Sequence, residues 1–384
     1  VSLVRFDGTN WPSTTSPLKD ITPSVTGITT IYYSSLTVGT NEVLFVAVDG
    51  SGRKLFRAPL DGSAIATQVT LPTVDGVAAE IQTPLTVSAD GLVFAALGRG
   101  SASAKEDVIV IKNGVATNIS QIADNLHSVG TAFLDSLNPR VALSANGTYV
   151  AYAATSGATN SSKAWVAKTD GTGATELSTT ANFVRSPSTA SIDNFGSFHF
   201  FGDDELLFVA GTSSTKADLF RYKVSTGALS NLTQSGTTTA APWGGGTLEF
   251  DGGWSNSAGT RLFYLVGSST AMNIISVATA TFTKTDITTG LLLNSESNLD
   301  RIIRGDSTTG NVWFHAPKAG ASPARDAVYT FNQNTGTAAL EIATISGTTA
   351  MTMEGLDVSP DGTKTLFVIP QSSNVNLIFW TGTT

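Results

Sequence analysis

One phrase recurs along this chain and limits what it can fold into. A polar turn built on Asp or Asn followed by Gly leads directly into a short apolar strand. It reads Ser88-Ala89-Asp90-Gly91 before Leu92–Leu97, Ser144-Ala145-Asn146-Gly147 before Tyr149–Ala153, and Ser359-Pro360-Asp361-Gly362 before Thr365–Ile369. Related apolar strands are expected at Val43–Val48, Leu206–Ala210, Arg261–Val266 and Asn311–His315. With Leu44, Val93, Val150, Leu207, Leu262, Val312 and Leu366 as markers, the successive steps are 49, 57, 57, 55, 50 and 54 residues. A period of about fifty residues that persists from end to end is the sequence sign of a propeller or solenoid.

Each unit shares an inner grammar. A second amphipathic strand follows the strong one, as in Lys54–Ala58, Asp107–Ile111, Ala164–Ala167, Asp218–Val224, Asn273–Val277, Ala327–Phe331 and Asn376–Trp380. A Gly-bearing turn comes next, at Asp61-Gly62, Asn113-Gly114, Asp170-Gly171, Thr226-Gly227 and Thr335-Gly336. Asp-Gly and Asn-Gly are strong hairpin signals because both central residues accept positive φ. A short strand closes the unit, as at Ala116–Ser120 and Leu229–Thr233, and another precedes the opening turn at Thr83–Ser88, Arg140–Ser144, Phe198–Phe201 and Gly355–Ser359. Four antiparallel strands per period make one propeller blade. No segment carries a sustained helical period with caps, so almost no α-helix is expected.

The fold class expected is all-β, a single seven-bladed β-propeller of four-stranded antiparallel blades spanning residues 1–384. Blades are placed near 29–76, 77–130, 131–184, 185–240, 241–292, 293–348 and 349–384. The last unit ends at Trp380-Thr381-Gly382-Thr383-Thr384 without an outer strand. The N-terminal stretch 1–28 offers surplus strand-like text at Ser2–Phe6 and Leu18–Thr22. Joining the two would close the ring and cover an edge that is a liability when bare. An irregular extra blade is the alternative, which leaves six or eight blades open.

At Val358-Ser359-Pro360-Asp361-Gly362-Thr363-Lys364, and across Leu219–Thr233 ending Ser225-Thr226-Gly227-Ala228-Leu229-Ser230-Asn231-Leu232-Thr233, the chain resembles the TolB-like, or WD40-like (PD40-type), bacterial propeller repeats. The resemblance spans most of the chain, with units near 243–290 and 297–347 departing from the pattern. It implies blades and leaves activity open, since relatives range from binding scaffolds to enzyme domains. The Trp-Asp dipeptide of true WD40 blades is absent.

Composition narrows the function. Charged residues make up only 14% of the chain, against about 25% in ordinary soluble domains. Ser, Thr, Gly and Asn take their place. Net charge is −8, and the cations are scattered singly. Nucleic-acid binding needs clustered Lys and Arg, so it is not expected. There is no cysteine, which removes disulfides, thiolate metal sites and a thiol nucleophile. That suits export through a compartment where stray thiols are a liability. The first residues show no basic region followed by a long apolar run and lack Met, so a processed product, a trimmed chain or one domain of something longer is expected. No apolar run reaches the length of a membrane-spanning helix.

Catalytic motifs are missing. His127, His199 and His315 have no metal-ligand spacing. No serine sits in a Gly-x-Ser-x-Gly elbow, and there is no phosphate loop or calcium loop. Asp203-Asp204-Glu205 is the nearest acidic cluster. Its position matches the hairpin turn of other units, with a Ca2+ site as the rival reading. The Asp-box of sialidase-type propellers is also absent; Ser255–Thr260 has the turn character without the Asp. Asp193, Glu249, Asp251, Asp300 and Glu354 lie near the starts of inner strands and could form a glycosidase pair across blades. Trp11, Trp243 and Trp254 fall in Gly- or Pro-rich loops, unlike Trp165, Trp313 and Trp380 in strands. Loop Trp residues can plug blades or form a sugar-stacking or protein-contact surface. Four glycosylation sequons occur, at Asn118, Asn146, Asn160 and Asn231.

The function expected is non-enzymatic: an exported, periplasmic or cell-surface propeller that binds a protein partner or builds a surface assembly, with a glycan as a further ligand class. No cofactor is expected beyond the Ca2+ alternative, and no transmembrane segment. The rival readings are a carbohydrate-active propeller enzyme using cross-blade carboxylates and a periplasmic TolB-like adaptor. Candidate binding residues are Trp11, Trp243, Trp254, Asp300 and Arg301, where the repeat phrase breaks down.

Overall fold

The computed structural model describes residues 4–5, 19–20, 28–60, 63–74, 76–100, 106–120, 141–155, 162–177, 195–213, 216–232, 251–255, 261–268, 271–278, 280–281, 283–287, 304–305, 311–317, 326–332, 340–344, 355–358, 364–371 and 374–381. Every regular element among them is a β-strand. No helix is long and apolar enough to cross a membrane among the described residues.

Strands β1 (Val4–Arg5) and β2 (Lys19–Asp20) pair antiparallel with each other. The first four-stranded sheet then runs β3 (Thr30–Val38), β4 (Glu42–Asp49), β5 (Gly52–Pro59) and β6 (Thr67–Gln68) in sequence order. The second adds a short strand, β7 (Thr73–Val74), to the order β8 (Val77–Val87), β9 (Val93–Gly100), β10 (Glu106–Lys112), β11 (Val115–Asn118). The third holds β12 (Val141–Leu143), β13 (Tyr149–Thr155), β14 (Ser162–Lys168) and β15 (Thr175–Glu176). The fourth holds β16 (Phe195–Phe201), β17 (Glu205–Ser213), β18 (Lys216–Lys223) and β19 (Ala228–Asn231). The fifth is β20 (Asp251–Ser255), β21 (Arg261–Ser268), β22 (Ala271–Ala278), β23 (Lys284–Asp286). The sixth is β24 (Arg304–Gly305), β25 (Asn311–Pro317), β26 (Asp326–Asn332), β27 (Leu340–Thr344). The last has three strands, β28 (Gly355–Val358), β29 (Lys364–Gln371) and β30 (Asn374–Thr381).

Repeated four-stranded meanders of this kind are propeller blades, and all seven strong strands expected from sequence are present. In the N-terminal stretch, Val4 and Arg5 face Asp20 and Lys19 in register. Trp254, expected in a loop, lies in β20 opposite Phe263. Flanking glycines hid that strand, although Gly is tolerated in strands at irregular points and β20 does shift register between Asp251 and Gly253. By chain contacts the molecule divides into two compact units. One is Val1–Arg185, Asp193–Phe208 and Arg221–Ser230, and the other is Ser186–Ile192, Val209–Phe220 and Asn231–Thr384.

The repeated turn explains itself in atomic detail in the first unit. Ser88 N donates to Val93 O at 2.9 Å and Gly91 N donates to Ser88 O at 2.8 Å. The Ser88 hydroxyl accepts from Val93 N at 3.1 Å and donates to the Asp90 carboxylate, which also accepts from Leu92 N. The third sheet repeats the arrangement with Asn in place of Asp. Tyr149 N donates to Ser144 Oγ at 3.0 Å and Thr148 N donates to Asn146 Oδ1 at 2.8 Å. Each serine is almost fully buried, so its hydroxyl satisfies backbone groups that water cannot reach. Gly91 and Gly147 hold φ of +69° and +66°, a region L-residues avoid.

These turns also bond to one another. Thr40 N, in the β3–β4 turn, donates to Gly91 O at 3.0 Å. Asp90 N donates to Ala145 O at 3.1 Å, and Ala145 N donates to Gly202 O at 2.9 Å. Asn146 N donates to Asp203 Oδ1 at 2.8 Å. A seam of hydrogen bonds therefore stitches four successive hairpins together.

Between the turns, sheets stack face to face. In β9, Phe94 and Ala96 pack with Leu44, Val46 and Leu55 of the first sheet, while Val93 and Ala95 pack with Val141, Val150 and Tyr152 of the third. Alternate residues of one strand thus serve two interfaces. Both faces are dry, which is why these strands read as continuous apolar runs. The inner strands β3 and β8 both bulge, between Tyr32 and Thr37 and between Gln82 and Thr86. At the first bulge Ser35 Oγ takes the donor of Val46 N at 2.8 Å, replacing the lost ladder bond.

Two stability outcomes follow. Gly91→Ala meets both positive φ and a collision with Thr40 N, whereas Gly173→Ala has open space and only the φ of +63°. The first is expected to cost clearly more than the about 1–2 kcal/mol of left-handed strain that the second incurs, read as urea midpoints. Tyr152 is fully buried and its hydroxyl has no hydrogen-bond partner. Tyr152→Phe is therefore expected to leave stability unchanged or to raise it by about 1 kcal/mol, and a loss above that would show an uncounted partner.

Candidate functional site

The described residues form a groove of about 640 Å³ at the junction of the first two sheets. Three hairpin ends build it: the β3–β4 turn, the β8–β9 turn and the Asn113-Gly114 turn joining β10 to β11. The last is a two-residue turn with φ of +52° at Asn113 and +76° at Gly114, the left-handed pair that a tight hairpin requires. Glu42, at the start of β4, and Arg57, near the end of β5, line the groove. The β4–β5 register sets Glu42 opposite Pro59 and Leu44 opposite Arg57, so the two charged residues stand diagonally on one face. Arg57 Nε lies 2.7 Å from Glu42 Oε2, but Oε2 gains no well-directed hydrogen bond, so the attraction is essentially coulombic. Arg57 is 39% exposed, and such a partly solvated pair contributes about 1 kcal/mol or less. Its guanidinium reaches the next sheet, where a Cβ on Gly114 would collide with it.

Apolar side chains surround this polar floor. Leu60 and Leu92 line the groove. Leu92 is 47% exposed, Val38 55% and Val115 66%. Val38 precedes the Gly39 that packs on Gly91, and Val115 follows Gly114. Leu92, exposed within the groove beside a charged pair, with exposed Val38 and Val115 each two residues from a lining residue, Thr40 and Asn113, gives the composition of a contact surface. Sequence reading missed this site because each residue looks like a strand end by itself. Its signal was the hairpin register: a turn at Gly50-Ser51 fixes Glu42 and Arg57 on one face.

The acidic cluster resolves into three separate duties. Asp203 accepts from Asn146 N in the seam. Asp204 accepts from Ser225 N at 2.6 Å and from its hydroxyl at 2.9 Å, and Lys223 lies 3.7 Å away. Glu205 takes both Nε and Nη2 of Arg221, at 2.6 and 2.7 Å. Among the described residues, no three potential ligands converge to hold a metal ion. Of the predicted binding residues, Trp11, Trp243, Asp300 and Arg301 lie outside the described residues, and Trp254 is placed only as a β20 strand residue. Of the carboxylates weighed as a glycosidase pair, Asp193, Glu249, Asp300 and Glu354 also lie outside, and Asp251 begins β20. His127 lies outside, His199 sits in β16 and His315 in β25 opposite Val328. Sequon Asn118 is nearly buried and its Nδ2 donates to Asp107 Oδ2 at 2.6 Å and Thr73 O at 3.3 Å. Asn146 is exposed. Asn160 lies outside the described residues.

No family model matches the chain, and no curated protein does. Solved structures do match. An oligogalacturonate lyase in complex with manganese overlays at a TM-score of 0.50 with 12% identity, covering 99% of this chain and 96% of that one. The oligogalacturonate lyase of Vibrio parahaemolyticus gives 0.50 with 10% identity, covering 91% and 89%. A prolyl endopeptidase gives 0.50 with 12% identity over 92% of this chain, which spans about half (49%) of that enzyme. At such identities the likeness concerns the fold alone. With the repeated meanders, it defines the class: a β-propeller.

Two further outcomes are expected. In a glycosylating host, the exposed sequon Asn146 is expected to accept a glycan while the buried Asn118 remains bare, read by intact-mass and glycopeptide spectrometry. Three turn aspartates titrate below the usual 3.8. For Asp49 and Asp170 the first cause is the hydroxyl of the residue two on, Ser51 and Thr172; for Asp204 it is the Ser225 backbone N–H. A depressed folded pKa stabilises the fold above 3.8, and that help is lost as pH falls through the lower folded value. Asp204→Asn is therefore expected to lower the urea midpoint at neutral pH, with the gap to the parent closing in acid below 3.8. A gap that persists in acid would contradict the assignment.

Proposed function

We propose that this chain is a non-enzymatic, exported or cell-surface β-propeller of seven blades, with residues 1–28 contributing the closing strands. It binds a protein partner through the groove between its first two sheets. The observation that carries this reading is the exposed Leu92 in the groove beside the Glu42–Arg57 pair. Interfaces draw their energy from a few apolar or Arg anchors enclosed by a polar margin, and Leu92 with the charged pair supplies both. Among the described residues that line it, the groove offers one carboxylate, Glu42, already neutralised by the Arg57 guanidinium, which supports binding over chemistry. The absence of cysteine and the 14% charged fraction support an exported or surface location.

The test starts with a photo-reactive residue at position 92 in the producing cells. One protein is expected to crosslink there, and its purified form should bind the purified chain. Leu92→Asp is expected to weaken that binding about tenfold or more, in the range of interface anchors. Ile65→Asp, at an equally exposed apolar position (49%) outside the groove, is expected to leave it unchanged. Equal loss in both variants, or loss in neither, would refute the groove as the contact.

A further inference from the structure

Arg57 is held in place across the groove by contacts that leave its hydrogen-bond donors open. A guanidinium carries its N–H donors in a rigid planar fork. Among the described residues the ion-pair partner of Arg57 is Glu42, with Nε 2.7 Å from Oε2. That oxygen receives no well-directed hydrogen bond. Glu42 therefore holds the guanidinium by charge and does not engage the fork. On the other side the guanidinium lies against Gly114, where any side chain would collide with it. Charge from the first sheet and a glycine of the second thus fix Arg57, although its side chain is partly exposed. A donor group positioned before its partner arrives loses less freedom on binding.

The other described charges at this junction leave the same sign open. Asp90, one residue before the lining Gly91, accepts from the Ser88 hydroxyl and from Leu92 N. Lys112, one residue before the lining Asn113, is exposed. Glu42 is matched by Arg57. The charged groups turned to a newcomer are therefore cationic donors, beside the exposed apolar side chain of Leu92. A planar fork of N–H groups matches the two oxygens of a carboxylate, with which it makes paired, charge-assisted hydrogen bonds.

On the reading that the groove is the contact, which this step rests on, we infer that the protein partner seats an Asp or Glu side-chain carboxylate on Arg57. An apolar side chain of the same segment packs on Leu92. Glu42 and the incoming carboxylate then flank one guanidinium, and Lys112 at the margin offsets the second negative charge. Charge complementarity argues for this occupant. A partner's Lys or Arg would meet Arg57 and Lys112, with only the already matched Glu42 to receive it. The net charge of −8 on the whole chain repels an acidic surface at long range. The carboxylate is therefore a single anchor on a surface otherwise neutral or basic.

The probe is a phage-displayed library of random heptapeptides, joined to the coat protein through their C-termini and panned against the immobilised full chain. Enriched peptides are expected to carry Asp or Glu close to a large apolar residue. Synthetic copies with amidated C-termini are expected to bind in solution by fluorescence polarisation. Changing the peptide's acid to its amide should weaken binding about tenfold or more, the range of hydrogen bonds to charged groups. Arg57→Gln should cost about the same. Arg57→Lys, which keeps the charge and loses the fork, should fall between. Urea midpoints near that of the parent will show that both variants remain folded, since a partly solvated pair adds little to stability. Combining Arg57→Gln with the amide peptide is expected to cost no more than either change alone, the signature of a direct pair. Additive losses overturn the inference, as do enriched peptides that lack an acid or carry Lys or Arg in its place, and a library that enriches nothing. If Leu92→Asp abolishes peptide binding and Arg57→Gln does not, the groove stands as the contact and the carboxylate anchor alone falls. If neither variant affects it, the groove falls too.

Discussion

The structure depends on a buried serine hydroxyl placed where an inner strand turns back. At Ser88 and Ser144 that oxygen accepts from the N–H five residues on and engages an Asp or Asn two residues on. Without it, a donor would be stranded in a dry junction, at a cost of about 1–3 kcal/mol. With it, the turn becomes rigid enough to present its own remaining amide and carbonyl sideways. Those groups form the seam from Thr40 to Gly91, from Asp90 to Ala145 and from Ala145 to Gly202. The hairpin signal is therefore also the link between neighbouring sheets.

Sheet stacking follows from that spacing. Once the hairpins are locked side by side, Phe94 and Ile109 face one neighbour and Val93 and Val108 the other. A strand with two buried faces cannot alternate apolar and polar residues, and its charge is pushed to the ends. Glu42 and Arg57 stand at such ends, at the start of β4 and near the end of β5. The groove lies where three hairpins meet, and Arg57 crosses it toward Gly114.

Much of this was legible in the sequence. The seven strong strands, the Asn113-Gly114 hairpin and the structural role of most aspartates came from local signals: apolar runs, positive-φ residues and short hydrogen-bonding side chains. The hairpin reading of Asp203-Asp204-Glu205 also stands, since each carboxylate is engaged by a protein donor. The error fell where local text was ambiguous. Glycines around Trp254 suggested a loop, yet β20 runs through it with a register shift.

By itself, then, the sequence determined the unit: four strands, their order, their turns and a near-constant step, because each is decided within about fifty residues by backbone preference and alternation. Only the tertiary structure decided what the units do to each other. It made Asp203 the acceptor for Asn146, brought Arg57 against Gly114, and set Leu92 in one groove with Glu42 and Arg57. These contacts join residues about fifty positions apart. Their geometry depends on how far one twisted sheet is offset from the next, and that offset is fixed by packing between sheets rather than by any run of residues within one.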